Sequence, residues 1–581
     1  MSADPRPQVL VAGAGPVGLT AAHELARRGL RVRLVDAAPG PARTSRAVAV
    51  HPRTLETFDQ MGVVAPVLQQ GRANRAFTMF AAGHRLVRLQ ADYASMPTRY
   101  PYTVIIEQVT TEAVLRRALA AQGVETEWGT RVSGFTQDSD TVRVGLTRAD
   151  GAEEECETSW LVGCDGGHST VRRELGLPLI GESRDTWMLA DAPVDMPLPP
   201  DTIYWVHTGG QALMMVPYAQ EGHWRLLDTA PGEQGAPDAA GTARRLSAKL
   251  SAGLGEQVTV GEPEWTSVFT FQQRMVPRMH QGRVFVAGDA AHVHSPASGQ
   301  GMNTGIQEAY NLAWKIADVQ HGHAGRQLLE TYGEERVPVG RALLGSTRTA
   351  TFLVQFKNLL AAAALPVLFT FVRTVTPLRR AIQRKVLGGM SGLRIGYPDS
   401  SLTLPGGPAP AGAPAPGQRA AAAAAGLPGA PGPDALNEEL RDVRWTLLCT
   451  PGPLRTDGAQ DPLPASTATA AAAAHGAWLS VRTVGGLAGA AAGPLPDPGR
   501  ALREALGLGE GGWALVRPDG YLAARGERLA PAVWERTLAA LHLGGGGGSP
   551  VPPPFLKESS SARRAVHDTV DGTIAVLEAD R

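Results

Sequence analysis

Three clusters of glycine and aspartate carry the chemistry this sequence offers. The first is Gly13-Ala14-Gly15-Pro16-Val17-Gly18, set between the apolar run Val9-Leu10-Val11-Ala12 and a helix-like stretch from Val17 to Gly29. In such a G-x-G-x-x-G the first glycine permits a tight turn, the second lets a pyrophosphate approach the backbone, and the third lets helix and strand pack closely. The helix start adds free N–H groups and about half a positive charge. Asp36 closes the next strand-like run, Val32 to Val35, where a carboxylate can hold both hydroxyls of a ribose. The spacing predicts a βαβ dinucleotide site. It is also compatible with a plain strand–helix turn in which Asp36 is a solvated strand end.

Two further motifs bear on which dinucleotide is bound. Leu161-Val-Gly-Cys-Asp165-Gly-Gly-His-Ser169 reads as a strand ending in Asp-Gly before a helix that starts near Thr170. Val284-Phe-Val-Ala-Gly288-Asp289-Ala-Ala-His292 reads as a strand ending in Gly-Asp. A carboxylate at that second position can reach a ribityl hydroxyl. The loop Pro296-Ala-Ser-Gly299-Gln-Gly301-Met302-Asn303 then enters a long helix predicted from Gly305 to about Ala317. Its backbone N–H groups could face the pyrimidine end of an isoalloxazine and stabilise the anionic reduced flavin. Taken alone, Asp165 and Asp289 also suit helix N-caps.

The elements that must position these residues are those of an α/β enzyme. At about 150 residues per domain, 581 residues imply two to four domains. Lys plus Arg equals Asp plus Glu, 55 each, which argues against a nucleic-acid coat or a polybasic membrane binder. Three cysteines (Cys156, Cys164, Cys449) form no disulfide framework and no C-x-x-C pair. Gln8 to Ala12 is apolar but runs straight into glycines, unlike a signal peptide, and the apolar run Leu359 to Val372 is short for a membrane span and contains Pro366. A soluble, cytoplasmic protein is expected. Strand-like and helix-like patterns alternate to about Leu402, interrupted by aromatic strand-like pieces. Between Pro405 and Pro433, 26 of 29 residues are Pro, Ala or Gly, a composition expected of a linker. Ser466 to Ala474 is a second low-complexity patch. The expected division is 1–185 and 274–403 for a dinucleotide-binding domain, 186–273 for an inserted sheet domain, 404–435 for the linker, 436–543 for a third domain and 544–581 for a spacer and tail.

On these motifs the chain resembles the FAD-dependent aromatic hydroxylases of the para-hydroxybenzoate hydroxylase type, in the actinobacterial branch that includes polyketide hydroxylases and rifampicin monooxygenases. The run Ser45-Arg46-Ala-Val-Ala-Val-His51-Pro-Arg53-Thr-Leu-Glu56 is similar to the family segment after the second strand. Ala49 departs from a glycine frequent there. The resemblance implies that Arg46 lies near flavin and nicotinamide and that Gln108, before the helix Thr110 to Ala120, contacts FAD. It extends to the third domain, where Leu515-Val-Arg-Pro-Asp519-Gly-Tyr-Leu-Ala-Ala-Arg525 is similar to that branch's thioredoxin-like appendage. With Cys449 as its one cysteine the appendage cannot exchange a disulfide. The fold class implied is α/β: a Rossmann-like FAD-binding domain, an inserted mixed-sheet substrate domain, and a C-terminal thioredoxin-like domain lacking C-x-x-C.

The function implied is a monooxygenase in antibiotic or other secondary-metabolite chemistry. Non-covalent FAD is reduced by NADPH (NADH being possible), binds O₂ as a C4a-(hydro)peroxide, and passes one oxygen atom to a polycyclic aromatic substrate. The substrate is expected between flavin and inserted sheet, with Tyr204, Trp205, Met214, Met215, Tyr218 and Trp224 as pocket residues and His207 as a candidate proton acceptor. No metal, nucleic acid or membrane is implied, and homo-oligomers stay open. Baeyer–Villiger insertion on the same scaffold is an alternative, and a non-catalytic flavin-fold subunit a third reading that intact cofactor motifs oppose. The W-x-W-x-I-P segment of related flavin halogenases is absent.

Overall fold

A computed structural model describes residues 6–90, 96–209, 211–230, 238–294, 299–355, 388–406, 409–425, 429, 431–486 and 493–544. Pro296, the run Leu359 to Val372 and the tail after 544 lie outside the described residues.

Strand Val9–Ala12 is wholly buried and central to a six-stranded sheet. Val32–Asp36 pairs with it on one side and Trp160–Gly163 on the other, both parallel. Thr126–Trp128 and Val284–Val286 extend the parallel set outward, and the short His280–Gln281 pairs antiparallel at one edge. Leaving the first strand to one side and returning on the other opens a crevice at the carboxyl ends, the place where such sheets bind ligands. Helix Pro16–Arg27 begins with a proline in its first turn, where the missing N–H costs nothing. It packs against helix Gln300–Gln320, which starts five residues earlier than the sequence suggests because Gly299 adopts φ +62 and turns the chain straight into it.

The second sheet is mixed and larger than expected. Its strands run in the order His292–Val293, Trp265–Met275, Ile180–Asp195, His223–Asp228, Gln211–Pro217, Thr202–Thr208, Ala76–Ala81, His84–Gln90, with Thr259–Val260 paired to Ile180–Asp195. Three of these strands, Ala76–Ala81, His84–Gln90 and His292–Val293, come from the regions expected to serve the first domain alone. Ala76–Ala81 pairs in parallel with Thr202–Thr208, a pairing across more than a hundred residues that leaves no local sequence signal. Helix Ala239–Leu254 covers one face: Leu246, Leu250 and Leu254 pack with Tyr204, Val206, Met215 and Trp224. The opposite face, with Trp187, Trp205, Met214 and Leu227, packs on Ala49 and Ile105 of the first domain.

The third domain has a five-stranded sheet in thioredoxin-like order: Gly493–Leu495, Leu479–Val484, Trp445–Cys449, Trp513–Val516, Leu522–Gly526. Trp445–Cys449 and Leu479–Val484 are parallel and joined through helix Leu463–His475. That helix contains the patch Ser466 to Ala474, whose alanines are the best of helix formers. Cys449 is buried at a strand end, and burial holds its thiol up at about 11.

The Pro/Ala/Gly-rich segment departs from the expected linker. Gly417 N–H donates to Leu522 O at 2.7 Å and Ala420 N–H to Gly520 O at 2.9 Å, and Ala420 and Ala424 enter the apolar core. Small side chains let this backbone lie directly on the third domain. That domain is also joined to the first. Trp445 meets Trp314 edge-on at 5.4 Å, and the turn after Val516 inserts Arg517 between Glu335 (2.5 and 2.9 Å) and Asp519.

Candidate active site

The glycine turn fits each role its spacing predicts. Gly13 has φ +99, and a Cβ there would strike the carbonyl oxygen of Cys164; a Cβ at Gly18 would strike that of Gly13. These two glycines are demanded by packing. A Cβ at Gly15 would meet nothing within 4 Å, so this position faces open space beside the helix start, which has no side-chain cap. Asp36 accepts from Ala14 N at 2.6 Å and from Ala38 N at 2.7 Å. Its carboxylate is therefore held against the glycine turn and is not a loose strand end. Val17 contributes packing: a Cβ on Gly288 or Gly305 would come within 2.8 or 2.5 Å of its side chain.

Asp165 caps a helix with one oxygen and leaves the other open. Its Oδ2 accepts from Thr170 N at 2.7 Å and from Val171 N at 3.2 Å, capping helix Thr170–Glu174. Its Oδ1 is buried with no partner among the described residues, an acceptor left for a ligand hydroxyl.

Asp289 lies in the single turn Gly288–Ala290 and exposes its side chain into the crevice. The protein walls around it raise its carboxyl pKa, while the charges of His292 and Arg46 pull it back. Beneath it is a pair that sequence reasoning missed. His292 Nε2 lies 2.6 Å from Glu308 Oε1, and Gly288 N–H donates to Glu308 Oε2 at 2.9 Å. Burial opposes both charges, yet the pair outweighs it, raising His292 and lowering Glu308. The available signal was a glutamate in an apolar helix with no cation three or four residues away.

Gly299 and Gly301 start helix Gln300–Gln320 with no side-chain cap among the described residues. A Cβ on Gly299 would approach Ala49 Cβ and His51 Nε2; one on Gly301 would touch the His294 ring. Met302 is half-buried. Asn303 latches the loop: its Oδ1 accepts from His51 N at 2.9 Å and its Nδ2 donates to Ala49 O and Gly299 O, both at 2.8 Å. Its side chain is thereby committed to the protein.

Gln108 is the first residue of helix Gln108–Ala120. Its Oε1 accepts from Arg46 N at 3.3 Å and Ala47 N at 3.0 Å, while its Nε2 donates to Glu112. It positions the loop that carries the exposed Arg46, whose charge lowers the Asp289 pKa.

The aromatic candidates divide between the sheet's faces. Tyr204, Met215 and Trp224 lie in the core under helix Ala239–Leu254, so they are packing residues and not pocket walls. Trp205 and Met214 lie on the opposite face, with Trp187 and the half-buried Phe77, Met79, Trp265 and Phe269. His207 shares that face, two residues from Trp205 and opposite Ala212. Burial lowers its pKa to about 4. The Tyr218 hydroxyl donates to Asp191 at 2.9 Å.

Comparison with known proteins agrees with this geometry. The family described as FAD binding domain matches residues 6–347. The 6-methylpretetramide 4-monooxygenase of Streptomyces rimosus is 48% identical over 537 residues, 92% of this chain and 94% of that protein. A rifampicin monooxygenase of Streptomyces venezuelae is 36% identical over 346 residues, 58% of this chain and 70% of its own. The solved structure of OxyS, an anhydrotetracycline hydroxylase from Streptomyces rimosus, superposes with a TM-score of 0.68 at 27% identity, covering 93% of this chain and 99% of its own. The clearance at Gly15 and the unpartnered Asp165 oxygen fit the cofactor these matches name. The chain belongs to the FAD-binding family of flavin-dependent aromatic hydroxylases and is an FAD-dependent monooxygenase.

Proposed function

We propose that this enzyme uses NADPH and O₂ to hydroxylate a polycyclic aromatic, polyketide-like substrate held between the Asp289 turn and the aromatic face of the mixed sheet. The observation that carries the reading is the packing of the Arg46 loop, through Arg225, on a sheet face bearing Trp187, Trp205 and Trp265. The near-full-length relative named for 6-methylpretetramide supports the substrate class. The bound FAD supplies hydride acceptance from nicotinamide and the activation of O₂ for transfer of one oxygen atom to the ring.

The chain's own residues bind, orient and exclude water. Gly13 to Gly18 receive the pyrophosphate, Asp36 the adenosine ribose, and Asp165 Oδ1 and Asp289 the remaining hydroxyls. The start of helix Gln300–Gln320 would set its positive end against charge developing on the ring system. Arg46 adds a cation that favours anionic forms over neutral ones. The apolar sheet face excludes water from the reacting centre. No second dinucleotide fingerprint is seen in the sequence, in keeping with a nicotinamide that visits a groove. The FAD is non-covalent.

The test is NADPH consumption by the yellow holoenzyme across a panel of polycyclic phenols and quinones, with NMR of the product skeleton. Aromatic-dependent consumption with a new C–OH supports the reading. Consumption indifferent to every aromatic would overturn it, and an oxygen inserted between two carbons would replace hydroxylation by Baeyer–Villiger chemistry.

A further inference from the structure

Arg225 is a buried cation on the apolar, first-domain side of the sheet, with 1% of its surface exposed. It belongs to a cross-strand row that runs Trp265, Asp191, Arg225, Val216 over four neighbouring strands. Its Nε and Nη2 form a two-point pair with Asp191 at 2.8 and 2.7 Å. The Tyr218 hydroxyl holds Asp191 from beyond, and the guanidinium lies 5.8 Å from the Tyr218 ring and 5.6 Å from that of Trp265.

Neutralising Asp191 does not exhaust its donors. Nη1 donates to Arg46 O at 2.9 Å and Nη2 to Ser45 O at 2.7 Å. Two carbonyls of the loop that carries Arg46 are thus gripped from the substrate sheet, while Gln108 accepts the N–H groups of the same two peptide units from the first domain. The Arg46 side chain takes part in neither clamp and is exposed, and its charge favours the ionised form of Asp289.

We propose that Arg225 is a positioning residue for flavin reduction: it fixes the Arg46 loop from the sheet face that receives the aromatic substrate. Trp265, on which the guanidinium rests, belongs to that face. An aromatic ligand packed there bears on Trp265, and Trp265 on Arg225. Contact at the substrate face is thereby transmitted to the backbone of Arg46. This rests on the flavin-side role given to Arg46 above.

The experiment compares full-length Arg225→Met, Arg225→Lys, Arg46→Ala and the Met/Ala double variant. Hydrogen exchange of the peptide spanning Ser45 to Val48, with and without FAD, reads the clamp without catalysis. Arg225→Met should accelerate it about tenfold, with strand Val9–Ala12 unchanged and Arg225→Lys intermediate, since one ammonium cannot reproduce the fork. Stopped-flow reduction by NADPH with aromatic present reads the function. Arg225→Met should slow reduction about tenfold while FAD affinity moves less, and the double variant should be no slower than the worse single, as residues acting through one another are non-additive. Wild-type exchange in Arg225→Met would overturn the clamp. Faster exchange with unaltered reduction, or multiplicative rate losses in the double variant, would overturn the positioning role. A wild-type holoenzyme that NADPH does not reduce would instead sink the proposed function and, with it, the role in reduction, leaving exchange to decide the clamp alone.

Discussion

Glu308 lies 2.6 Å from His292 with neither side chain exposed to water, and its second oxygen accepts the amide of Gly288. One carboxylate therefore ties the long helix to the residue just before Asp289. Removing it leaves a buried imidazolium and a buried N–H without their acceptor.

Glu308→Gln should cost about 3–5 kcal/mol, as breaking a buried pair does. The pH dependence follows from the two directions. His292 is raised, so its share is complete below ~6.5 and fades as pH climbs through its folded value. Glu308 is lowered, so its share is complete above ~4.3 and fades as pH falls through its folded value. Thermal melts should show the largest wild-type-to-variant gap between those limits, narrowing at both alkaline and acid ends. A gap independent of pH would show that the pair is not ionic.

Gly15→Ala and Gly18→Ala separate cofactor clearance from packing. Gly15 has open space around the added methyl, whereas a methyl on Gly18 runs into the Gly13 carbonyl. Gly15→Ala should fold with a melting temperature near wild type in the FAD-free form and lose FAD affinity. Gly18→Ala should be destabilised before any cofactor is added. Equal FAD affinity in Gly15→Ala, by fluorescence titration, would remove the pyrophosphate from that position.

Asp289→Ala removes a carboxylate that reaches the surface. Loss of a charge-assisted hydrogen bond is worth about 1.5–3 kcal/mol, or roughly ten- to two-hundred-fold in FAD affinity. Apo-protein stability should change little. An unaltered dissociation constant would leave Asp289 without a hydroxyl to hold.

The glycine turns and their aspartates were legible because local steric rules dictate them: a positive φ at Gly13, a strand end at Asp36. Alternation along a strand such as Thr202–Thr208 puts Tyr204 and Trp205 on opposite faces. It could not say which face meets the first domain, because Ala49 and Ile105 decide that from far away in the chain. The segment from Pro405 misleads for a related reason. Its composition reports that it has no core of its own, not that Leu522 and Gly520 offer it a backbone to pair with. Arg225 carries no local motif at all; its meaning lies in carbonyls some 180 residues away.

Arg517→Met tests whether the third domain is a separable appendage. Arg517 and Glu335 are fully unexposed, and Lys315, Asn311 and Asp519 complete the network around them. Losing the guanidinium leaves Glu335 and Asp519 facing each other with one buried lysine, a loss of about 3–5 kcal/mol. Because Trp314 and Trp445 share the same interface core, calorimetry should show the first and third domains melting together in wild type and apart in the variant. Two separate wild-type transitions would mark the interface as thermodynamically idle.

His207 lies on the Trp205 face of the sheet, which makes it the histidine to suspect as a base for a phenolic substrate. Its environment argues otherwise. Burial holds its pKa at about 4, whereas an effective base sits near the working pH. Taking a proton from a phenol of pKa ~10 would run uphill by about six pKa units, about 8 kcal/mol. The ring is therefore a neutral wall at pH 7, and ionisation of the phenol has to be favoured by the bound site as a whole. His207→Asn should alter KM through packing while the pH profile of hydroxylation between about 6 and 9 keeps its shape. Should the substitution instead erase an inflection in that range, His207 would be the base after all, and the site with substrate bound would have to raise its pKa by some three units.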